Sequence, residues 1–204
     1  MANRIGQTIR KTGEVDIEIE IRLDEPVQYQ ISLSCEKEEP GLGFGSLSLF
    51  EHLFSQIYHH GRLGGYIKAH GDLPHHLIED IGISFGQAVK EALGERKGIE
   101  RFASLLIPHQ GSLATVSIDL SGRGYGVLDF KEVDNKSLGG IAQHLFETMA
   151  INGGFDIYGK TETVGALRED HHKLEAFCKA FGRALHRATR VTGGDAIPST
   201  KGKL

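Results

Sequence analysis

His75-His76-Leu77-Ile78-Glu79 returns 96 residues later as His171-His172-Lys173-Leu174-Glu175. The match continues at the same offset: Phe85-Gly86-Gln87-Ala88 lines up with Phe181-Gly182-Arg183-Ala184, and Ala92 with Ala188. Upstream, His52-Leu53-Phe54 recurs as His144-Leu145-Phe146 at an offset of 92, and a glycine (Gly61, Gly153) follows nine positions after each histidine. Histidines that merely decorate a surface would not repeat together with their neighbours. Two blocks repeated in one order mark an internal duplication, with a few residues inserted or deleted between them. The halves are read as 1–96 and 97–204, together one compact unit.

The coarse periodicity repeats as well. Val15-Asp16-Ile17-Glu18-Ile19-Glu20-Ile21-Arg22-Leu23 alternates strictly, the pattern of a half-buried strand, and Gln28 to Leu33 alternates similarly. Ser46 to Tyr58 has helical spacing with Leu49, Leu53 and Ile57 on one stripe; Gly64 to Ala69 reads as a short strand; and His75 to Leu93 as a long helix stopped at Gly94. The second half gives strands at 104–108, 114–120, 124–130 and 154–160. It also gives helices at 137–151, opened by a Ser137 cap, and at 168–190. The order in each half is strands, helix, strand, helix. This predicts an α+β fold of two half-domains, each a mostly antiparallel sheet with two helices on one face.

Composition narrows the function classes. The 204 residues are 39% hydrophobic and 25% charged, ordinary for a soluble globular protein. A net charge of −4 gives no general basic footprint for nucleic acid. No apolar run approaches the roughly 18 residues of a membrane span, and MANRIGQTIRKTG has no apolar core of a secretory signal. Cys35 and Cys178 lie far apart and form no CxxC pair, which suits a reducing compartment; the expectation is a cytoplasmic protein.

The paired histidines point to metal chemistry. His75 and Glu79 are four residues apart and share a helix face, whereas His76 is rotated by about 100°. On that geometry His75 with Glu79 serves one ion and His76 another, and His171, Glu175 and His172 follow the same rule. His52 and His144 add an imidazole each from the preceding helix, for a tally of six histidines and two glutamates, or four protein ligands for each of two ions. Imidazole plus carboxylate with open positions suits Mn²⁺, Fe²⁺ or Zn²⁺. A closed structural zinc site usually takes cysteine, and this pattern has none. The remaining histidines, His59, His60, His70, His109 and His186, do not repeat and are read as solvated or as groups behind the ligands. The run Lys90 to Lys97 is read as an exposed helix end, and the tail from Ile197 to Leu204 has no periodicity.

The doubled His-His-x-x-Glu, Gly98-Ile99-Glu100-Arg101-Phe102, Asp119-Leu120-Ser121-Gly122-Arg123, Glu175-Ala176-Phe177-Cys178-Lys179-Ala180 and Pro198-Ser199-Thr200-Lys201-Gly202 together resemble the imidazoleglycerol-phosphate dehydratases. The resemblance spans nearly the whole chain in order. It implies a hydro-lyase of histidine biosynthesis that converts imidazole glycerol phosphate to imidazole acetol phosphate. Two manganese ions on the ring nitrogens would stabilise an imidazolate while the hydroxyl is expelled. It further implies a large cage-like homo-oligomer of about 24 chains with manganese at subunit contacts, and no nucleic-acid or membrane partner. On this resemblance Glu14 is the acid/base residue; Arg101, Arg123 and Lys179 contact the phosphate; and Ser199 and Lys201 turn the tail into an ordered phosphate loop. The chain departs from the family at Pro108-His109-Gln110-Gly111, where the family has Pro-Met-Asp-Glu. It departs again at Gly71-Asp72-Leu73-Pro74, which runs directly into His75, and at Glu169, where the family has Asn. Two other readings stay open: a paralogue acting on or binding a different phosphorylated azole, and a non-catalytic, metal-assembled shell.

Overall fold

The computed structural model describes residues 3–24, 27–39, 46–166, 169–202 and 204. In chain order the elements are β1 (Ile5–Lys11), β2 (Val15–Arg22), β3 (Tyr29–Cys35), α1 (Ser46–Gly61), β4 (Gly64–Gly71) and α2 (Pro74–Leu93). There follow β5 (Phe102–His109), β6 (Ser112–Asp119), β7 (Tyr125–Asp129), α3 (Lys136–Gly153), β8 (Asp156–Thr163) and α4 (Asp170–Thr189). The two halves repeat one topology, with sheet orders β1-β2-β4-β3 and β5-β6-β8-β7. The first three strands of each sheet are antiparallel. The outer pair is parallel, because α1 and α3 provide the crossovers that parallel neighbours require.

Helices cover one face of each sheet. The alternation in β2 sends Val15, Ile17, Ile19 and Ile21 into that interface, and β6 contributes Ala114, Val116 and Ile118. Duplicated aromatic residues fill the space between helices: Phe54 and Phe146, Phe85 and Phe181, all fully or almost fully buried. The opposite face of the second sheet is open and mixes polar residues with exposed apolar ones. Phe102 and Leu106 of β5, Tyr158 of β8, and Tyr125 and Val127 of β7 are exposed there, with Tyr158 in register beside Val127.

Three local expectations change. Strand β1 carries its apolar residues outward, with Ile5 and Ile9 exposed while Gly6, Thr8 and Arg10 face α2, so its alternation is inverted and gave no strand signal. Helix α3 opens one residue before Ser137, capped by Asn135, whose side chain accepts from the Leu138 amide at 3.1 Å. A carbonyl oxygen two residues ahead of the serine is better placed to take that amide. Helix α4 begins at Asp170, and the anticipated start at Arg168 lies outside the described residues.

The halves meet through their helices, α1 against α4 and α2 against α3. Both contacts are backbone-close at glycines. A methyl group on Gly182 would lie 2.6 Å from the Ile57 carbonyl oxygen and 2.9 Å from the Gly61 nitrogen. One on Gly86 would lie 2.5 Å from the Met149 oxygen and 2.8 Å from the Gly153 nitrogen. These are the glycines that the sequence repeats. Because the obstacle is backbone, neither side can yield cheaply. Gly86→Ala and Gly182→Ala are each expected to lower stability by about 1–3 kcal/mol, measured as a drop in the urea midpoint; an unchanged midpoint would show that the helices can separate without cost.

Candidate functional site

Both histidine pairs occupy the first turn of a helix. Pro74 starts α2 with the φ angle a first turn needs, and His75 and His76 follow. The start of α4 is anchored by buried Lys173, which donates to the Glu132 carbonyl and, at 3.1 Å, to Asp170. Asp170 in turn accepts the Asp134 and Asn135 amides, both at 2.8 Å. Burial opposes ionisation of Asp170, but these donors outweigh it and hold the carboxyl below its ordinary range.

Adjacent imidazoles do not diverge as the 100° rotation suggested. Ring centroids are 4.1 Å apart for His75 and His76, and 4.0 Å for His171 and His172. Side chains in a helix lean toward its N-terminus, and in a first turn no preceding turn keeps two rings apart. The donor atoms of Glu169, His171 and His172 all lie within 4.8 Å of one another, a spacing that can hold one ion. Glu169 was not among the anticipated ligands. It lies outside the repeated motif, so the duplication gave it no signal. His172 Nδ1 is buried without a hydrogen-bond partner among the described residues, a polar atom that a bound cation or water would satisfy.

In the first copy, carboxylates orient the rings from behind. Glu39 meets His75 Nδ1 at 2.8 Å and Asp72 meets His76 Nδ1 at 2.8 Å. Such contacts fix the tautomer and leave Nε2 available to a ligand. Asp72 lies four residues before His76, a spacing visible in the sequence; Glu39 is remote in sequence and only the fold brings it there.

The remaining candidate ligands pair across the halves. His52 Nε2 of α1 lies 3.2 Å from Glu175 of α4, and His144 Nε2 of α3 lies 3.0 Å from Glu79 of α2. The cluster around Glu175 is the denser one. Lys179 Nζ lies 2.7 Å from it, and His109, which has no counterpart in the repeat, stands 3.4 Å away. His109 also packs edge-on against His172, with centroids 5.3 Å apart, so it links the Glu175 cluster to the second histidine pair. Burial works against the charge on Glu175, yet hydrogen bonds from Lys179 and His52 and the charge of His109 outweigh it, and its pKa falls to about 2. Within one chain, no four of the eight anticipated ligands close around a common point among the described residues.

Glu14 lies in the β1–β2 turn, which the Thr12 amide closes on the Val15 carbonyl. It opens on a groove of about 440 Å³ shared with Arg10, His76, Glu79 and Asp80. Of the cations, Arg101 is bound on both sides. Its Nε and Nη2 hold Asp119 at 2.7 and 3.1 Å, and its Nη1 donates to the Pro198 carbonyl at 2.6 Å. One N–H on each terminal nitrogen remains. The bond to Pro198 fixes the tail beside Ser199, whose hydroxyl accepts the Lys201 amide at 3.2 Å. Arg123 is exposed and reaches Asp156 only at 3.5 Å. Lys179 belongs to the Glu175 cluster rather than to the tail.

The family model described as imidazoleglycerol-phosphate dehydratase matches residues 45–185. The chain belongs to this family. Imidazoleglycerol-phosphate dehydratase of Deinococcus deserti is 41% identical, with 99% of this chain and 100% of the relative aligned. That of Dehalococcoides mccartyi strain CBDB1 is 38% identical over 100% and 99%. Among solved structures, the dehydratase of Pyrococcus furiosus superposes with a TM-score of 0.75 at 28% identity, covering 97% of this chain and 100% of that one. The Staphylococcus aureus dehydratase gives 0.68 at 29%, covering 90% and 97%. These relatives are hydro-lyases by name, and their fold is the duplicated α+β arrangement described above. No helix of the described residues is long and apolar enough to cross a membrane.

Lys173 offers a test of how the second histidine pair is held. Lys173→Met keeps the volume but removes the donor to Asp170 and the Glu132 carbonyl. Stability is expected to fall by about 3 kcal/mol, measured by denaturant unfolding; a loss within about 0.5 kcal/mol would show that the amides of Asp134 and Asn135 suffice.

Proposed function

We propose that this chain dehydrates imidazole glycerol phosphate to imidazole acetol phosphate in histidine biosynthesis, and that manganese serves the reaction. Family membership supports the substrate class. The observation that supports the reading for this chain is the shared groove of Glu14, His76 and Glu79, in which the proposed acid/base carboxylate and two proposed metal ligands line one space.

The donor set fits the metal. Imidazole nitrogens and carboxylate oxygens in this proportion suit manganese, with iron or zinc compatible. The two rings of the first pair, each held at Nδ1 by a carboxylate, and the unpartnered His172 Nδ1 support this reading. His52, His75, His76, Glu79, His144, His171, His172 and Glu175 would hold the ions, with Glu169 as an added carboxylate. Bound manganese supplies Lewis-acid stabilisation of negative charge on the azole ring. The chain's own residues do the rest. Glu14 takes the carbon-bound proton and can return it to the leaving hydroxyl, which departs as water. Ser199, Lys201, Arg123 and the free N–H groups of Arg101 bind the phosphate, whose negative oxygens suit guanidinium donors, and Lys179, held in the Glu175 cluster of its own chain, joins them from a second copy. Incomplete ligand sets within one chain, together with the exposed Phe102, Leu106, Tyr125, Val127 and Tyr158 on one sheet face, favour a homo-oligomer in which a second copy completes each site.

Purified, manganese-loaded protein is expected to turn over imidazole glycerol phosphate; loaded protein that leaves the substrate intact rejects the reading. Glu14→Gln should lower kcat by about 10²–10⁴-fold with metal content unchanged by elemental analysis, and undiminished turnover would remove Glu14 from the chemistry. Chelation should reduce particle size in light scattering, whereas a constant size would place the ions inside single chains.

A further inference from the structure

The duplication makes the ends of the α1–α4 contact equivalent to those of the α2–α3 contact, and the chemistry of the two places has diverged. At the far end of the α2–α3 contact, Gln87, Lys90, Glu91 and Gly94 of the α2 side face Ile151 and Asn152 around an open groove of about 570 Å³. Carried through the repeat, these positions become Arg183, His186, Arg187 and Arg190 on the α4 side and His59 and His60 on α1. Every one of the six is basic at the second place, and Arg62, just beyond α1, adds another. At the first only Lys90 is basic, and Glu91 offsets it.

The plain explanation would be compensation of helix C-termini, where cations favourably meet exposed carbonyls. Two observations argue against it. The first groove has equivalent helix ends and manages with one lysine. The last carbonyls of the α4 segment are also already satisfied: Ala188 by the Arg101 amide at 2.8 Å, Thr189 by Arg4 Nη1 at 2.7 Å and Arg190 by the Glu100 amide at 2.9 Å. Arg62, Arg183, Arg187 and Arg190 are exposed, and among the described residues none has a carboxylate within ion-pair distance. The charges act on a common space. Burial and then the charges of Arg62, Arg190, Arg183 and Arg187 hold His186 below the ordinary imidazole range. His60 is lowered by burial, His59, Lys179 and Arg183, and raised by Glu175. The groove and the Glu175 cluster are therefore electrostatic neighbours. Along α4, Glu175, Lys179, Arg183 and Arg187 fall at four-residue intervals on one helix face, so the cations lead from the groove to the candidate site.

We propose that the groove between the ends of α1 and α4 is an outer anion site, which captures the phosphate group of a small phosphomonoester and delivers it along α4 toward Lys179. This deepens the function proposed above and rests on it for the identity of the phosphomonoester; the groove's affinity for phosphate does not. Four unpaired guanidiniums provide bidentate donors for a dianion, and a cationic approach raises the local concentration of an anionic substrate.

The test is the triple variant Arg183→Gln/Arg187→Gln/Arg190→Gln, none of which belongs to the candidate site. At low ionic strength its kcat/KM is expected to be about tenfold lower than that of the unaltered protein, with kcat unchanged. The two should converge near 0.5 M salt, where the screening length falls to a few ångströms (roughly 4 Å). Calorimetry with inorganic phosphate alone should lose one class of site in the triple variant and retain that class in Lys201→Ala. Identical salt dependence and identical phosphate binding would overturn the proposal. So would a triple variant that loses only retention on heparin, which would make the groove a polyanion surface. Absence of turnover in both proteins would instead reject the dehydratase reading, and the phosphate titration would still decide the groove.

Discussion

Two points of backbone contact organise this molecule. Gly61 meets Gly182, and Gly153 meets Gly86, so close that a single methyl group would collide with a carbonyl or amide of the opposing helix. Close approach at these points sets how α1 lies along α4 and how α3 lies along α2. His52 and Glu175 precede their respective glycines by nine and seven residues, and His144 and Glu79 precede theirs by the same counts. Helices packed side by side in one direction from such a contact bring the two side chains level, which explains why each half contributes one member of each pair.

A duplicated scaffold need not carry duplicated chemistry. The paired ligands retain the symmetry, but their surroundings do not. In the first copy Glu39 and Asp72 stand behind the histidines; in the second, Glu169 stands beside them and His172 is left with a buried, unanswered nitrogen. His109 and Lys179 crowd Glu175, whereas Glu79 opens on the Glu14 groove. The unequal halves thus surround equivalent ligand pairs with different charged neighbours.

The tail shows how an irregular segment acquires a defined place. It has no periodicity, yet Arg101 holds the Pro198 carbonyl while Asp119 holds Arg101 from the other side. The Gly98 amide, bonded to the Ala196 carbonyl at 2.9 Å, adds a second tie. These contacts keep Ser199 and Lys201 near a guanidinium that still has donors to offer.

Sequence alone determined the repeat and the strand and helix order of most of each half, and it singled out the histidines and glutamates that the repeat duplicates. All of these depend on local periodicity or on residue identity at a fixed spacing. The inverted strand β1 was invisible, because its inward positions are Gly6, Thr8 and Arg10 and a hydrophobic pattern cannot report a face that backbone proximity, not burial of large side chains, defines. Only the tertiary structure decided that His75 and His76 stand nearly ring to ring, that Glu175 answers His52 from the other half, and that Glu39, Glu169 and His109 join the candidate site. Each of these is a distance between residues remote in the chain or a rotamer at a helix end, and such quantities are set by packing between elements rather than by the order of residues within one.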